Sequence, residues 1–228
     1  MRADGRSAEE LLREGIALLG VPGPERANAL LRGFLGELER WNARFGFVKA
    51  DGKVDLVIKH VLDSLSAWRA VGGHARSGSV LDVGSGAGFP GIPLAIALPE
   101  ASFTLLERSA KKASFLKNCV ILLGLANVAV SQSELSRVSG FFDVVTFRAV
   151  APLDRFVAQA AGGRLGFGAI VAYKGRESRA REEIARIRET GEARFATEIL
   201  PLEVPFLGEE RCLAILRATS RDSPMGHY

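Results

Sequence analysis

A short glycine-rich turn constrains the fold of this chain more than any other feature: Leu81-Asp82-Val83-Gly84-Ser85-Gly86-Ala87-Gly88-Phe89-Pro90-Gly91. The apolar run Ser79 to Val83 predicts a strand before it. Pro90 to Leu98 predicts a helix after it, with Pro90 suited to the first helical position. Glycines in such a turn let the backbone bend tightly and approach a ligand with no side chain in the way, and they cost stability without such a purpose. A dinucleotide site has the spacing G-x-G-x-x-G, with a pyrophosphate at the helix N-terminus. Here the glycines fall at 84, 86 and 88, so the third comes one residue early. Asp82 also sets a negative charge where a phosphate would lie. The turn therefore points to a ligand with an amino group and no phosphate.

The rest of the pattern is α/β. Strands are predicted at Ser79 to Val83, Ser102 to Leu106, Val128 to Ser131, Phe142 to Phe147, Phe167 to Tyr173, Ala196 to Leu200 and Cys212 to Arg217. Helices are predicted at Pro90 to Leu98, Ala110 to Leu123, Pro152 to Ala161 and Glu177 to Glu189, the last with a solvated face of acids and arginines. Alternation of this kind implies a mostly parallel sheet covered on both faces. The last two strands have no helix between them and predict an antiparallel pair. The expectation is the Rossmann-like, seven-stranded fold of class I methyltransferases. Before it lies helix: one capped by Ser7 through Leu19, one carrying Leu30 to Trp41, and one from about Asp55 to Val71, with Gly72, Gly73, Ser77 and Gly78 breaking the chain. This divides the chain into an N-terminal helical extension, 1–73, and a methyltransferase domain, 74–228. Trp41 and Trp68 read as core anchors.

Composition narrows the class. The longest apolar runs, such as Val120 to Leu123, are too short to span a bilayer. Met1 to Glu10 lacks the apolar segment of a signal peptide, which predicts a cytoplasmic protein with no membrane partner. Cys119 and Cys212 read as buried thiols. His60, His74 and His227 show no zinc-ligand spacing, so neither a metal nor a histidine relay is expected. A net charge of +4 permits a polyanionic partner. The basic residues cluster at Arg108, Lys111, Lys112 and Lys117, and again at Lys174, Arg176, Arg179 and Arg181, both near predicted strand ends, where α/β enzymes place ligands.

S-adenosyl-L-methionine, a sulfonium with an amino group, meets the conditions set by Asp82, Gly84, Gly86 and Gly88. Glu107 ends the next strand and can accept from both ribose hydroxyls. Ser133 and Glu134 follow the third strand, where an adenine acceptor would sit, or form a surface loop. Phe89 packs beside the ligand or in the core. Arg148 and Lys174 end successive strands. The first is a candidate site arginine, or pairs with Asp143 or Glu134; the second is a candidate contact to a polyanionic partner, or a solvated lysine. His60, Asp63 and Ser64 share a helix, either lining the acceptor side of the cleft or packing on the sheet edge.

Several of these segments together resemble a known family. They are D-V-G-S-G-A-G-F-P-G-I-P from Asp82 to Pro93, Trp41-Asn42, His60-Val61-Leu62-Asp63-Ser64, Phe147-Arg148-Ala149 and Tyr173-Lys174-Gly175. The chain from about Leu30 to Leu216 is similar to the glucose-inhibited division protein B family, the small-subunit ribosomal RNA methyltransferase G. The resemblance implies methyl transfer from adenosylmethionine to N7 of one guanine in 16S rRNA near the decoding centre, leaving S-adenosyl-L-homocysteine. It implies cofactor contacts from Gly84, Phe89, Ser133, Glu134 and Arg148, with Glu107 where the family often has aspartate. His60, Arg148 and Lys174 are then the candidates closest to the chemistry, in a monomer acting on the small ribosomal subunit. The alternatives are a methyltransferase of another acceptor, or a non-catalytic RNA-binding or ribosome-assembly protein that keeps the fold.

Overall fold

The computed structural model describes residues 5–75, 78–161, 164–189 and 195–218. His227 and Ser77 lie outside them. The sheet has seven strands: β1 (Ser79–Val83), β2 (Ser102–Leu106), β3 (Val128–Ser131), β4 (Ser139–Arg148), β5 (Arg164–Lys174), β6 (Phe195–Leu202) and β7 (Arg211–Ala218). Their order is β3-β2-β1-β4-β5-β7-β6. β1 to β5 pair in parallel, and β7 inserts antiparallel between β5 and β6. This is the mostly parallel sheet with an antiparallel pair at one edge that the alternation predicts.

Period-two alternation divides each strand between two cores. Val80, Phe103, Val144, Val171, Leu213 and Ile215 face one apolar cluster, while Leu81, Val145, Ile170, Ala172, Ala214 and Leu216 face the other. With both faces covered, the strands read as continuous apolar runs. The second cluster is closed by α8 (Leu153–Ala161) and α9 (Glu177–Glu189). The first is closed by α6 (Gly91–Ala97), α7 (Ala110–Leu123) and all the N-terminal helices, which share it with the sheet.

The N-terminal helices are α1 (Ala8–Leu18) and α2 (Pro24–Phe45), then a segmented stretch. Ser7 caps α1 in a reciprocal capping box with Glu10. Beyond α2 the continuous helix expected from Asp55 to Val71 is instead α3 (Gly52–Leu56), a π-helical turn (Val57–Leu62), α4 (Asp63–Leu65) and α5 (Trp68–Ala75). Gly72 and Gly73 do not break the chain but lie inside α5. The reason at Gly72 is packing, because a Cβ there would meet Leu98 Cδ2 at 2.9 Å. Trp68 Nε1 and Arg69 Nη1 both donate to the Leu19 carbonyl, which ties α5 to the end of α1.

Cys119 and Cys212 are free and buried, and burial pushes their thiols up to about 12 and about 11. Among the described residues no helix is long and apolar enough to cross a membrane, and no group of three or more His, Cys, Asp or Glu is placed to hold a metal.

Candidate active site

The glycine turn leaves β1 at the carboxyl edge of the sheet. The Gly84 and Ser85 amides donate to the Leu106 carbonyl at 2.8 and 3.1 Å, and Gly88 donates to Ser85 O at 2.7 Å. Gly84, Gly86 and Gly88 all hold positive φ, at 68°, 57° and 92°, the left-handed region where side chains are strained. They serve different ends. A Cβ on Gly88 would press into Ile92 and Phe34, and one on Gly84 would meet Val150 Cγ2 at 2.7 Å. A Cβ on Gly86 would meet nothing nearer than Gly84 O at 3.6 Å. Gly86 is therefore the position where the turn presents bare backbone to open space.

Asp82 lies beneath this turn. It is wholly buried. Its Oδ2 accepts from the Gly91 amide at 3.1 Å, while Oδ1 has no partner. Burial raises its carboxyl to about 7, against hydrogen bonds from Ser85 and Gly91. Pro90 is the residue that caps α6, one position earlier than its expected place inside the helix. Gly91 has to be glycine, because a Cβ would overlap Leu105 Cδ2 and meet Asp82 Oδ2 at 2.5 Å.

Glu107, at the end of β2, is buried and accepts from the Gly86 amide at 2.9 Å and the Ser109 amide at 2.8 Å. An ionised carboxylate has about four acceptor positions, so each oxygen keeps one for a ligand. Next to it, a hollow of about 200 Å³ is lined by Arg108, Gln132, Ser133, Glu134 and Arg137. Ser133 is half-buried and Glu134 exposed on its wall. Bare backbone at Gly86, a carboxylate with two open lone pairs and an adjoining polar hollow fit, in sequence, the edge, the ribose and the base of an adenosine.

On the other side stands Arg148. Its Nη1 donates to Asp63 Oδ2 at 2.8 Å and to the Lys59 carbonyl at 3.2 Å. Its Nη2 lies 3.0 Å from His60 Nδ1. A guanidinium only donates, so Nδ1 carries the lone pair. Burial and the neighbouring Arg148 hold the imidazole down at about 4, against a backbone hydrogen bond with Lys49. His60 is thus neutral at pH 7. The Phe89 ring lies below both groups, with the His60 ring at 5.3 Å and Arg148 Cζ at 5.4 Å, and it meets Phe34 edge-on at 5.3 Å. Phe89 is a core residue that packs beneath both groups.

Arg148 pairs with neither Asp143 nor Glu134. Asp143 is taken by Ser79, whose amide donates to it at 2.7 Å, and the partner is Asp63. Asp63 also binds Arg211 Nε at 3.2 Å, so one buried carboxylate is shared between two guanidiniums. The π-helical turn that precedes Asp63 is a device common at functional sites. It is held in place by Ser64, whose hydroxyl donates to His60 O at 2.5 Å and whose carbonyl accepts from the Tyr173 hydroxyl at 2.6 Å. Arg211 carries no motif of its own, and only the pairing of β5 with β7 brings it beside Tyr173 here.

Lys174 is placed apart. Arg148 is in register with Tyr173, so Lys174, one residue on, points to the opposite face. There its ammonium binds Glu183 at 2.5 Å, and Glu183 also accepts from the Leu153 amide at 2.7 Å. The helix carrying Glu183 is not solvated all round, since Glu183, Ala180, Ile184 and Ile187 are buried. Its spacing to Ala180, Ile184 and Ile187 marks an inward face that the surrounding charges hide.

Comparison with known proteins adds the following. The family model for rRNA small subunit methyltransferase G (GidB) matches residues 27–213. The protein of that name from Nitrosococcus oceani is 41% identical over 170 residues, covering 74% of this chain and 78% of its own. The one from Methylococcus capsulatus is 39% identical over 218 residues, covering 93% of this chain and 100% of its own. Among solved structures, a putative O-methyltransferase from Klebsiella pneumoniae superposes with a TM-score of 0.55 at 16% identity, covering 82% of this chain and 90% of that one. Magnesium protoporphyrin IX methyltransferase from Synechocystis, solved with bound SAM, gives 0.54 at 17% identity, covering 94% and 99%. These two likenesses concern the fold.

Proposed function

This chain belongs to the rRNA small subunit methyltransferase G family, and from there we propose that it transfers a methyl group from S-adenosylmethionine to N7 of a guanine in 16S rRNA near the decoding centre, in the cytoplasm. Glu107 takes the ribose hydroxyls, the Gly84–Gly88 turn lies along the ligand, and the hollow at Ser133 and Glu134 takes the adenine. The bound sulfonium supplies an electrophilic methyl and leaves as S-adenosylhomocysteine. Asp82 acts from beneath, holding the turn against the start of α6 through Gly91.

One observation carries the reading of the acceptor: the polar groups at the cleft are an arginine, a neutral histidine and a carboxylate already shared between two arginines. Guanine N7 has an unshared pair and no proton at neutral pH, so the transfer needs no general base. Positioning alone can lower such a barrier by about 7–11 kcal/mol. Arg148 suits that task. Its guanidinium can donate to guanine O6 while N7 stays open, unlike the bidentate pairing of DNA readers. Positive charge moves onto the guanine during transfer, and Asp63 beside Arg148 tempers the repulsion.

The test is incubation with labelled adenosylmethionine and small-subunit RNA, both naked and in subunits from a strain lacking the modification. The methylated base is then mapped by chemical strand cleavage. A single N7-methylguanine is expected. Label on another atom or base would overturn the assignment, and cofactor binding with no label on any RNA would direct attention to other acceptors.

A further inference from the structure

Beside the cleft, the end of α2 and the loop after it build a surface that the methyl-transfer chemistry does not use. Phe45 and Phe47 are half-buried and stacked, with centroids 5.6 Å apart and planes at 17°. Phe47 stacks in turn on Trp41 at 6.1 Å and 28°. Cations surround the pair: Arg44 Cζ lies 5.1 Å and Lys111 Nζ 4.6 Å from the Phe45 centroid. The loop is held rigid by Asn42, which exchanges two 2.9 Å hydrogen bonds with the Val48 backbone. Its next residue, Lys49, bonds through its backbone to His60, and His60 touches Arg148. The aromatic pair is therefore continuous with the cleft, on its rim. Lys111 belongs to the first turn of α7, directly after Glu107 and Arg108, at the same carboxyl edge.

Exposed cations line this rim. Arg44, Lys49, Arg108 and Lys111 are exposed, and none is among the ion pairs of the described residues. In the second cluster Lys174 is bound to Glu183 and Arg181 to Glu177, while Arg176 and Arg179 are exposed and in no ion pair among the described residues. Unpaired cations beside half-buried aromatic rings are groups that a single-stranded nucleic acid can use. Phosphates take the cations, and a base takes the ring face whatever its sequence.

We propose that Arg44, Phe45, Phe47, Lys49 and Lys111 form the docking surface for the single-stranded RNA that flanks the methylated guanine. A neighbouring base packs against the solvent-facing edge of the half-buried Phe45–Phe47 pair, and the backbone phosphates on either side lie against Lys49, Lys111 and Arg44. The inference rests on the rRNA methyltransferase reading above and adds to it the surface that orients the strand. Arg148 meets the base to be modified, and the rim fixes which way the strand enters.

The experiment uses the full chain, adenosylmethionine and unmodified small-subunit RNA, with cofactor binding measured separately by calorimetry. The doubly charge-reversed variant Lys49→Glu/Lys111→Glu is expected to fold normally, since an acid in the first turn of a helix is favoured. Its KM for RNA should rise at least about tenfold with cofactor affinity unchanged. The slope of log KM against log salt should fall by about 0.7 for each phosphate that the variant no longer neutralises. Phe45→Leu/Phe47→Leu keeps apolar volume and removes the aromatic rings. It should raise KM several-fold and leave the salt slope alone. Arg13→Glu/Arg155→Glu carries the same change in net charge on exposed residues of α1 and α8, and should leave KM within about twofold. If the two rim variants keep wild-type KM and salt slope, or the control pair raises KM as much as they do, the rim assignment is overturned while the activity stands. Failure of the wild-type chain to methylate any small-subunit RNA would overturn the rRNA reading and the rim with it.

Discussion

Arg148 and Lys174 end neighbouring strands, and their positions along those strands alone do not tell them apart. The structure gives them opposite surroundings. Lys174 has a carboxylate to itself: Glu183 is its one ion-pair partner, and the same Glu183 oxygen also accepts from the Leu153 amide. That pair fastens β5 to α9 and to the start of α8. Arg148 shares Asp63 with Arg211, which also binds Glu209 at 3.0 Å, so Arg148 has no carboxylate to itself, and its neighbour His60 is neutral. The lesson is that a strand-end cation acquires its role from the charge balance of its partners. A matched pair closes the structure, whereas an oversubscribed carboxylate leaves a positioned cation facing the cleft.

The largest effect should come from breaking the matched pair. Lys174→Ala leaves Glu183 charged and buried, and removing one partner of a buried pair costs about 3–5 kcal/mol. Denaturant unfolding should show that loss, with turnover per folded molecule little changed. Unaltered stability with abolished turnover would reverse the two roles. Arg148→Ala should do the opposite. Its kcat should fall about a hundredfold, the scale of removing one preorganised donor, while the far-ultraviolet spectrum and the cooperative transition persist. Wild-type turnover would remove Arg148 from the reacting site. A smaller effect is expected from Asp63→Asn, which retains acceptor geometry and loses the shared charge. About a tenfold loss in kcat, with cofactor affinity unchanged, would show that Asp63 positions Arg148; a change confined to melting temperature would make it a fastening like Glu183.

Much of this molecule is legible in the sequence because it depends on local chemistry. Ser79–Val83 is apolar throughout, the glycines follow at once, and Glu107 ends the next strand. Each of these signals lies within a few residues of what it specifies. What escapes depends on pairing across long stretches of chain. Asp63 meets Arg148 across 85 residues and Arg211 across 148, so no window on the sequence can match them. Glu183 looks like one more charge on a solvated helix until Leu153 and Lys174 are seen on its inner side. The π-helical turn at Val57–Leu62 leaves the apolar periodicity of its helix almost unbroken. Gly72 inside α5 reads as a breaker, because its cause is Leu98 on another element. Phe45 and Phe47 read as ordinary apolar residues until Lys111 is placed over one of them.

The smallest expected effect distinguishes the two sites by pH. Burial and Arg148 depress the His60 imidazole from 6.5 to about 4. Between those values the unfolded chain binds a proton that the folded chain refuses, so stability from this site rises with pH. It is fully present above about 6.5 and is lost as pH falls towards 4. Asp82 works in the other direction. Burial raises it from 3.8 to about 7, so the folded chain holds a proton that the unfolded chain has released, and stability falls as pH rises through that range. In the wild-type chain the two slopes oppose each other between about pH 5 and 6.5. His60→Asn can place a side-chain oxygen where Nδ1 stood and still accept from Arg148, but it has no proton to exchange. Melting temperatures of the variant and the wild type, measured across that window, should therefore diverge, with the variant gaining relative to the wild type as pH falls. Parallel profiles would mean that His60 is not held neutral by Arg148, and the difference between this site and Lys174–Glu183 would then lie in the sharing of Asp63 between Arg148 and Arg211 alone.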